Sequence, residues 1–576
     1  MKRRIILILA VLVVLSVVLS SCDLFKKDEP DNNDEPQTPT HECVAGEWVI
    51  DKYPTNLADG VQVKKCLECG NVLSQETIKA SVGLEYTLSG NTYTVKSIGT
   101  CKDTNVVIPA TYENIPVTAI GNNAFSGLTT LVNITVGEHV NSIGSYAFNN
   151  CTSLKNVYLS AAVTNIEANA FNNCSLLDTV HFYGDLRGWL NINFKGDHSN
   201  PLTNQAFLYI AGDIVDDLVM PEDSVAVPQY AFVGCDSLKS VRMGESVKSI
   251  EKAAFARCTA LVDVEIGSDV KSIEDYAFTG CLTLPAIVIP DSVKTVETCA
   301  FENCPSLEDI VFGASVSNIG NNAFAGCTTL QHLTFGKAFE TIGSNAFLNC
   351  YSLRTVDIFD KVQSFGADAF LNCYNLEIIN YDGDASTWAA INFSSDPEAN
   401  PMHTYAKPYF KGVLLQNIVI SDIETISTYA FYHCSTATSV NVSGVTTIAR
   451  ESIHAMPVLE TVVITGDNTT IYEYALSNNP LLKNVTLKGS FQLLSHRLFE
   501  NCFWLTEVNI EGTVANMYWY LFNGDTWMGT INFNGTMEEF NAIAKHQGGY
   551  WDGYAIWSSG SRGTITIHCT DGDIVV

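Results

Sequence analysis

The sequence predicts an α/β-type repeat solenoid of about 15 units of 23 residues, with a parallel β-sheet on one face and a small Cys/His module in front. Three observations lead to this fold class. An Ala-Phe pair returns at a fixed interval, each interval contains a short apolar alternation typical of a strand, and closely spaced cysteines precede the first interval. Fixed periods of about 20 to 50 residues are typical of stacked repeat architectures.

The repeat is built around the Ala-Phe pair. Most pairs are 23 residues apart, and weaker copies with another residue in one position extend the series to 15 units within residues 106–531. Two gaps of 61 residues equal one period plus 38, which places insertions near 183–220 and 382–419. The Phe positions are Phe125, Phe148, Phe171, Phe232, Phe255, Phe278, Phe301, Phe324, Phe347, Phe370, Phe431, Ile453, Leu476, Phe499 and Phe522.

Each unit contains two apolar rows. In the unit that begins at Cys151, Val157 and Leu159 alternate as in a short strand, and Ile166 with Phe171 forms a second row. One unit cannot bury both rows alone, so neighbouring units must stack into a continuous solenoid with a parallel sheet. The motif resembles the BspA-like, or Treponema pallidum-type, leucine-rich repeat family of surface lipoproteins. That resemblance implies surface adhesion, including binding of host matrix proteins.

Most of the 18 cysteines occupy one position of the unit, three residues after the Phe position. Metal clusters or redox thiols would be the functional interpretation. A buried column of small apolar side chains is the structural one, which we favour because Leu128 and Met456 replace Cys at that position. The members are Cys151, Cys174, Cys235, Cys258, Cys281, Cys304, Cys327, Cys350, Cys373, Cys434 and Cys502.

The composition of the chain excludes several classes of protein function. The 576 residues include 62 acidic and 32 basic side chains, a net charge of −30, and 46% are hydrophobic. That apolar content excludes a disordered polyelectrolyte, and the negative charge argues against nucleic acid or an anionic lipid surface as a partner. No GxSxG, HExxH, P-loop or Gly-rich nucleotide motif occurs in the sequence. We therefore expect a binding scaffold and not an enzyme.

The N-terminus is typical of an exported protein. Residues 1–21 combine a basic start with an apolar run, as in a signal peptide, and Cys22 follows directly. The end of this run resembles a lipobox, so Cys22 is the expected lipid attachment site. The alternative is a transmembrane anchor, although the apolar run is shorter than the about 20 residues that span a bilayer. Residues 22–40 are acidic and Pro-containing, which predicts an extended tether. The expected location is the bacterial cell envelope, at the outer membrane or cell surface.

Residues 41–80 have metal-ligand spacing. Cys66 and Cys69 form a CxxC followed by Gly, and His41 and Cys43 would complete a tetrahedral set, so the segment predicts a zinc-ribbon-like module with one structural zinc. A module this small needs a metal or disulfides because it buries little apolar surface. The alternative is one disulfide among the three cysteines.

The insertions and the ends complete the domain plan. Trp189 and Trp388 occupy equivalent places in the two insertions, and a short helix with the Trp buried explains their spacing. A third, partial copy at the C-terminus has Phe540 in that place. Residues 81–105 are expected to form an N-terminal β cap, and residues 532–576 a C-terminal cap.

The outward positions of the repeated strands are the candidate ligand surface. Their chemistry changes from unit to unit, as recognition of an extended protein or glycan would require, although a solvated surface without a ligand would look similar. The candidates are Tyr158, His181, Arg242, Glu265, His332, Thr334, Asp357 and Asn380. The insertions are the alternative site, because irregular segments often carry function.

Two functions remain open at this stage. The first is a lipid-anchored surface protein that binds protein ligands as an adhesin or receptor. The second is a carbohydrate-capturing or structural envelope component without a specific host ligand.

Overall fold

The computed structural model describes residues 42–518, 521–522, 529–546 and 565–575. The expected signal peptide, Cys22, the tether at 22–40 and His41 lie outside the described residues.

The small module is an antiparallel three-stranded sheet in the order β1-β2-β3. Its strands are β1 (Ala45–Lys52), β2 (Gly60–Cys66) and β3 (Val72–Ile78). Among its apolar side chains only Val63 and Cys66 are buried, apart from Pro54 at the junction with the next element. The module therefore has almost no hydrophobic core of its own.

A β cap covers the first turn of the solenoid. A hairpin of β4 (Glu85–Ser89) and β5 (Thr92–Ser97) leads on to β6 (Asn105–Val107), β7 (Thr111–Tyr112) and β8 (Ile115–Ile120). Strand β5 runs parallel to β8, so the cap extends one of the solenoid sheets. These strands extend beyond residue 105, to Ile120.

The rest of the described chain alternates longer and shorter strands, one of each in most turns. Equivalent strands pair in parallel at an offset of 23 residues, as Val157 does with Val180. The first strands are β9 (Asn133–Thr135), β10 (Ser142–Ile143), β11 (Asn156–Leu159), β12 (Asn165–Ile166), β13 (Thr179–Phe182), β14 (Asn193–Phe194), β15 (Phe207–Ile210), β16 (Asp213–Ile214), β17 (Asp217–Val219) and β18 (Ala226–Val227).

The middle turns continue the same pattern. They contain β19 (Ser240–Arg242), β20 (Ser249–Ile250), β21 (Asp263–Glu265), β22 (Ser272–Ile273), β23 (Ala286–Val288), β24 (Thr295–Val296), β25 (Asp309–Val311), β26 (Asn318–Ile319), β27 (His332–Thr334), β28 (Thr341–Ile342), β29 (Thr355–Ile358), β30 (Ser364–Phe365), β31 (Ile378–Tyr381), β32 (Lys407–Phe410), β33 (Val413–Leu414), β34 (Asn417–Ile420) and β35 (Thr425–Ile426).

The last turns have longer strands. They contain β36 (Ser439–Ser443), β37 (Thr447–Ile448), β38 (Thr461–Ile471), β39 (Asn484–Leu494), β40 (Glu507–Val514), β41 (Asn516–Tyr518), β42 (Thr530–Phe533), β43 (Ala544–His546), β44 (Thr566–Cys569) and β45 (Gly572–Val575). The parallel solenoid is confirmed, and it contains little helix.

A stack of phenylalanine rings runs through the core. Rings of neighbouring turns lie parallel, with centroids 5.0 to 5.6 Å apart. Each Ala-Phe pair lies between two residues in the left-handed region, for example Asn169 (φ 59°) and Asn173 (φ 57°) around Phe171. Asn and Gly tolerate that conformation at lower cost than other residues, which explains their frequency at these two positions.

The cysteine column is buried beside this stack. Each thiol in the regular turns donates to the carbonyl of the Phe position in the preceding turn, as Cys151 does to Phe125 at 3.1 Å and Cys281 to Phe255 at 3.3 Å. Loss of hydration raises the pKa of Cys151 to about 12. The column is therefore a packing feature, as the sequence predicted, with thiols that stay protonated at neutral pH.

Both insertions contain the expected short helix, α1 (Leu186–Leu190) and α2 (Ala385–Ala389), and α3 (Met537–Ala542) is the third copy. The indole N–H of Trp189 donates to Ala231 O at 2.9 Å, and that of Trp388 donates to Ala430 O at 2.7 Å. Four 3₁₀ turns follow the first two helices, at Asp197–Ser199, Pro201–Asn204, Pro397–Ala399 and Pro401–Thr404.

The insertions do not interrupt the coil in the way that the sequence indicated. Strand β14 joins the short-strand sheet beside β12, and β15 joins the longer-strand sheet beside β13, so the first insertion forms a turn of its own. With the turns at the two ends, the solenoid has about 19 turns, more than the 15 units that the Phe positions mark.

Candidate functional site: the strand face

The strand face is the outward side of the longer strands, and within the described residues four interruptions divide it. Two of them coincide with the insertions, after β16 and after β33. The others lie in regular turns, between β21 and β23 and between β25 and β27. Pro285 explains one of these, because the equivalent Val262 N–H donates to Lys239 O of the preceding turn at 2.9 Å and proline has no N–H.

The N-terminal part of the strand face carries a ring stack. Tyr158 stacks on His181 with centroids 4.7 Å apart, and His181 stacks on Tyr209 at 4.6 Å. His181 is only 5% exposed, so its expected exposure is wrong, while Tyr158 is half-buried. Burial lowers the pKa of His181 to about 4. This histidine is neutral at physiological pH.

The small module lies over this ring stack. The rings of Tyr53 and Tyr183 meet edge to face at 6.5 Å, and Val49 Cγ1 lies close enough to Gly212 that a Cβ there would be 3.1 Å from it. Burial raises the pKa of Tyr158, and the charge of Glu47 on β1 raises it further. The backbone joins the two parts as well, because Ala110 N–H donates to Pro54 O at 2.9 Å.

The central segment, defined as β19, β21, β23, β25 and β27, is open. Arg242, Glu265, His332 and Thr334 are exposed there, as the sequence predicted. Arg242 forms an ion pair with Asp217 at 3.3 Å, with both side chains about half-exposed. Such an exposed pair contributes little to stability, which leaves the guanidinium accessible to a ligand.

An apolar pair with acidic neighbours occupies the middle of this segment. Val288 (58% exposed) and Val311 (55% exposed) are paired residues on β23 and β25. Exposed Asp263, Glu265 and Asp309 surround them, and within the described residues none of the three carboxylates has an ion-pair partner. Neither Val288 nor Val311 was among the ligand-binding candidates chosen from the sequence, although both stand at the outward positions that the 23-residue period marks.

Asp357 and Asn380 lie at the far side of the central segment and are half-buried. The Asp357 carboxylate accepts from Thr334 Oγ1 at 3.0 Å and from Asn380 Nδ2 at 2.6 Å. The structure therefore joins these three predicted residues in one hydrogen-bonded row, which leaves them less available to a ligand than Glu265.

Three thiols converge at the end of the module that is distant from Pro54. The sulfur atoms of Cys43, Cys66 and Cys69 all lie within 4.8 Å of one another, and those of Cys43 and Cys69 are 3.9 Å apart. Contact with the Cys66 thiol is the main cause that raises the pKa of Cys43, to about 11. These separations exceed the about 2.05 Å of a disulfide bond. The cluster could bind a metal.

A second cluster of possible metal ligands joins the second insertion to the regular turn before it. Oxygen atoms of Asp368, Asp396 and Glu398 lie within 4.8 Å of one another. Asp396 accepts from the backbone N–H of Asp368 at 2.7 Å. Burial and the charge of Asp396 raise the pKa of Asp368. This cluster could not be predicted from the sequence, because its members belong to different turns.

Comparison with known families identifies the repeat. The BspA type leucine rich repeat region matches residues 97–199, 201–313, 250–377 and 404–528, in six copies, which is more than half of the chain. The chain belongs to the BspA-type leucine-rich repeat family. No curated protein sequence matches this BspA-type chain.

Solved structures similar to this BspA-type protein include bacterial leucine-rich repeat proteins. One from Bacteroides ovatus is 18% identical, with 80% of this chain and 96% of that chain covered and a TM-score of 0.39. A leucine rich cell surface protein from Faecalibacterium prausnitzii is 26% identical, with 54% and 96% covered and a TM-score of 0.33. The T. pallidum leucine rich repeat protein is 22% identical, with 43% and 88% covered and a TM-score of 0.22.

Across the described part of this BspA-type chain, no helix is long and apolar enough to cross a bilayer.

Proposed function

We propose that this BspA-type protein is a non-catalytic scaffold of the bacterial cell surface that binds a protein ligand through the central segment of its strand face. The observation that carries the proposal is the exposed Val288–Val311 pair with acidic neighbours. Protein interfaces combine an apolar centre with a polar rim, and charge complementarity selects the partner. The ligand we expect is a protein with an apolar side chain flanked by lysines or arginines.

A binding panel followed by matched variants tests this site. The soluble protein from residue 23 onward is first presented with extracellular matrix proteins and polysaccharides. For a ligand found there, Val288→Ser with Val311→Ser, and separately Glu265→Lys, should weaken binding at least about tenfold. Loss of a central hot-spot contact costs about 2 kcal/mol or more, and a tenfold change corresponds to about 1.4 kcal/mol. The matched control is Val225→Ser, which is 64% exposed in a turn outside the strand face.

The outcomes separate the candidate sites. Unchanged affinity in both central variants, with loss of binding after substitutions in the insertions, would retain the scaffold function and reject the central segment. No binding to any protein on the panel would count against an adhesin or receptor.

A second candidate function is carbohydrate capture. Tyr351 (42% exposed) and Tyr374 (74% exposed) lie parallel with ring centroids 6.1 Å apart, on an edge of the solenoid outside the strand face. Exposed aromatic rings offer apolar contact area to a sugar ring at low entropic cost. Polysaccharide binding that Tyr374→Ala abolishes and the Val288/Val311 variant leaves intact would favour this function.

We further propose that Cys43, Cys66 and Cys69 hold one structural zinc ion, with His41 as the fourth ligand. Thiolates bound at about 2.3 Å to a tetrahedral ion lie about 3.8 Å apart, which agrees with the 3.9 Å between Cys43 and Cys69. Metal analysis of the protein from residue 23 onward should find one zinc ion, and none after Cys66→Ser with Cys69→Ser. A metal-free protein whose module is sensitive to reductant would favour a disulfide instead.

We propose that acylation of Cys22 attaches the protein to the membrane, through the tether at 22–40. Cys22→Ser should move the protein from the detergent phase to the aqueous phase and block processing. Unchanged partitioning would contradict the lipid anchor.

A further inference from the structure

The module depends on external contacts to keep its fold. Within residues 42–80 the buried apolar side chains are Val63, Cys66 and the junction residue Pro54. A sheet with so small a core needs stabilisation from outside it. Two sources are present at opposite ends of β1, the thiol cluster near Cys43 and the contact of Val49 and Tyr53 with the solenoid.

The contact with the solenoid falls on the strand face, where a ligand would otherwise bind. Val49 and Tyr53 approach Gly212 and Tyr183, next to the stack of Tyr158, His181 and Tyr209. The position of the central segment equivalent to His181 is Thr334 on β27, which is exposed, whereas His181 is 5% exposed. His332 on the same strand is exposed as well. The covered surface has the same strand geometry as the open one.

The hydrogen bonding of His181 is incomplete in the docked state of the module. Its Nε2 lies 3.0 Å from Thr179 Oγ1, but its Nδ1 has no hydrogen-bond partner among the described residues. A buried polar atom without a hydrogen-bond partner destabilises the docked state. On opening, water could form that hydrogen bond. The docked state is thereby less stable than a fully matched interface.

We propose that the module is a metal-dependent cover of the strand face: with its thiols ligated it shields the Tyr158–His181–Tyr209 stack, and without the metal it unfolds and exposes the stack. The metal-dependent part rests on the zinc site proposed above, while the cover itself rests on the observed contacts. Opening would extend the accessible strand face from the central segment back to β11, β13 and β15. The metal state would then set how much of the strand face a ligand can reach.

Chemical modification of histidine measures the cover directly. The protein from residue 23 onward is treated at neutral pH with diethyl pyrocarbonate, and the modification rates of His181 and His332 are followed by mass spectrometry, with zinc bound and after chelation. In the zinc-loaded protein, diethyl pyrocarbonate should modify His181 slowly and His332 rapidly. Chelation should raise the His181 rate at least about tenfold, as local unfolding does for protected groups, and leave His332 unchanged.

A variant pair separates the cover from the metal. Val49→Asp places a charge in the docking contact but keeps all three thiols, so it should expose His181 while one zinc ion stays bound. Val72→Asp is the matched control, because Val72 is 54% exposed on β3, away from the contact. It should leave His181 protected.

Each outcome decides one part of the proposal. A His181 rate equal to that of His332 in zinc-loaded protein overturns the cover, and so does continued protection in Val49→Asp. Protection that persists after the metal has gone overturns the metal dependence alone. A protein that binds no zinc refutes the proposed metal site and with it the metal dependence, while Val49→Asp still decides whether the module covers the stack.

Discussion

His181 makes the contact between module and solenoid sensitive to pH. Its ring lies between Tyr158 and Tyr209, and burial lowers its pKa from 6.5 to about 4. The folded state therefore binds a proton less readily than the open state. Stability from this group is fully present above pH 6.5 and is lost as the pH falls from 6.5 towards 4.

The size of the effect follows from the two pKa values. A difference of one pH unit corresponds to about 1.4 kcal/mol, so the fall from 6.5 to about 4 removes about 3 kcal/mol of local stability. The groups around His181 are Thr179 on its own strand, Tyr158 and Tyr209 on the neighbouring strands, and Glu47 on the module.

NMR of carbon-13-labelled histidine provides the assay. The His181 signal should titrate with a pKa of about 4, and hydrogen exchange in β1 should accelerate as the pH falls below 6.5, after correction for the intrinsic rate. His181→Phe keeps the ring stack and removes the titration, so β1 exchange in that variant should lose this pH dependence. A His181 pKa near 6.5, or an unchanged β1 profile in the variant, would refute the reasoning.

Further predictions concern the solenoid core. Phe278→Ala removes a fully buried ring that stacks on Phe255 and Phe301, and it should destabilise the neighbouring turns by about 3 to 5 kcal/mol in denaturant titrations. Cys281→Ala removes one buried thiol and should cost about 1 to 2 kcal/mol without loss of metal; free reaction of the native column with thiol reagents would contradict this. Ser315→Ala, in an exposed turn, is the control and should change stability by less than about 0.5 kcal/mol.

The repeat architecture could be predicted because each unit repeats its own chemistry. A residue such as Phe278 or Cys281 returns at a fixed interval, and a periodic apolar pattern can be buried only by stacking. The exposure of Arg242 and Glu265 followed from the same alternation. These features depend on contacts between equivalent positions, which the period itself supplies.

The contact between the module and the strand face could not be predicted, because it joins residues that no pattern relates. Val49 approaches Gly212, and Tyr53 approaches Tyr183, across more than 100 residues of intervening chain. The outward position of His181 in the strand was correct. Its solvent exposure was wrong because the rings of Tyr158 and Tyr209 enclose it, next to the contact with the module.

The insertions were only partly predictable for a related reason. Helices with buried Trp189 and Trp388 followed from the spacing. That β14 and β15 would continue both sheets did not, because these strands pair with the preceding turn at an offset of 28 residues, Asn165 with Asn193 and Thr179 with Phe207, which the 23-residue period does not mark.

The central claim is that the open central segment of the strand face binds the ligand. Hydrogen exchange of the protein with and without a ligand from the binding panel tests it most directly, with the zinc-loaded protein from residue 23 onward. The account predicts that the ligand slows exchange in β21, β23 and β25, around Val288 and Val311, and leaves the turns around Trp189 and Trp388 unchanged. Protection confined to those two insertions, with none in the central strands, would contradict it.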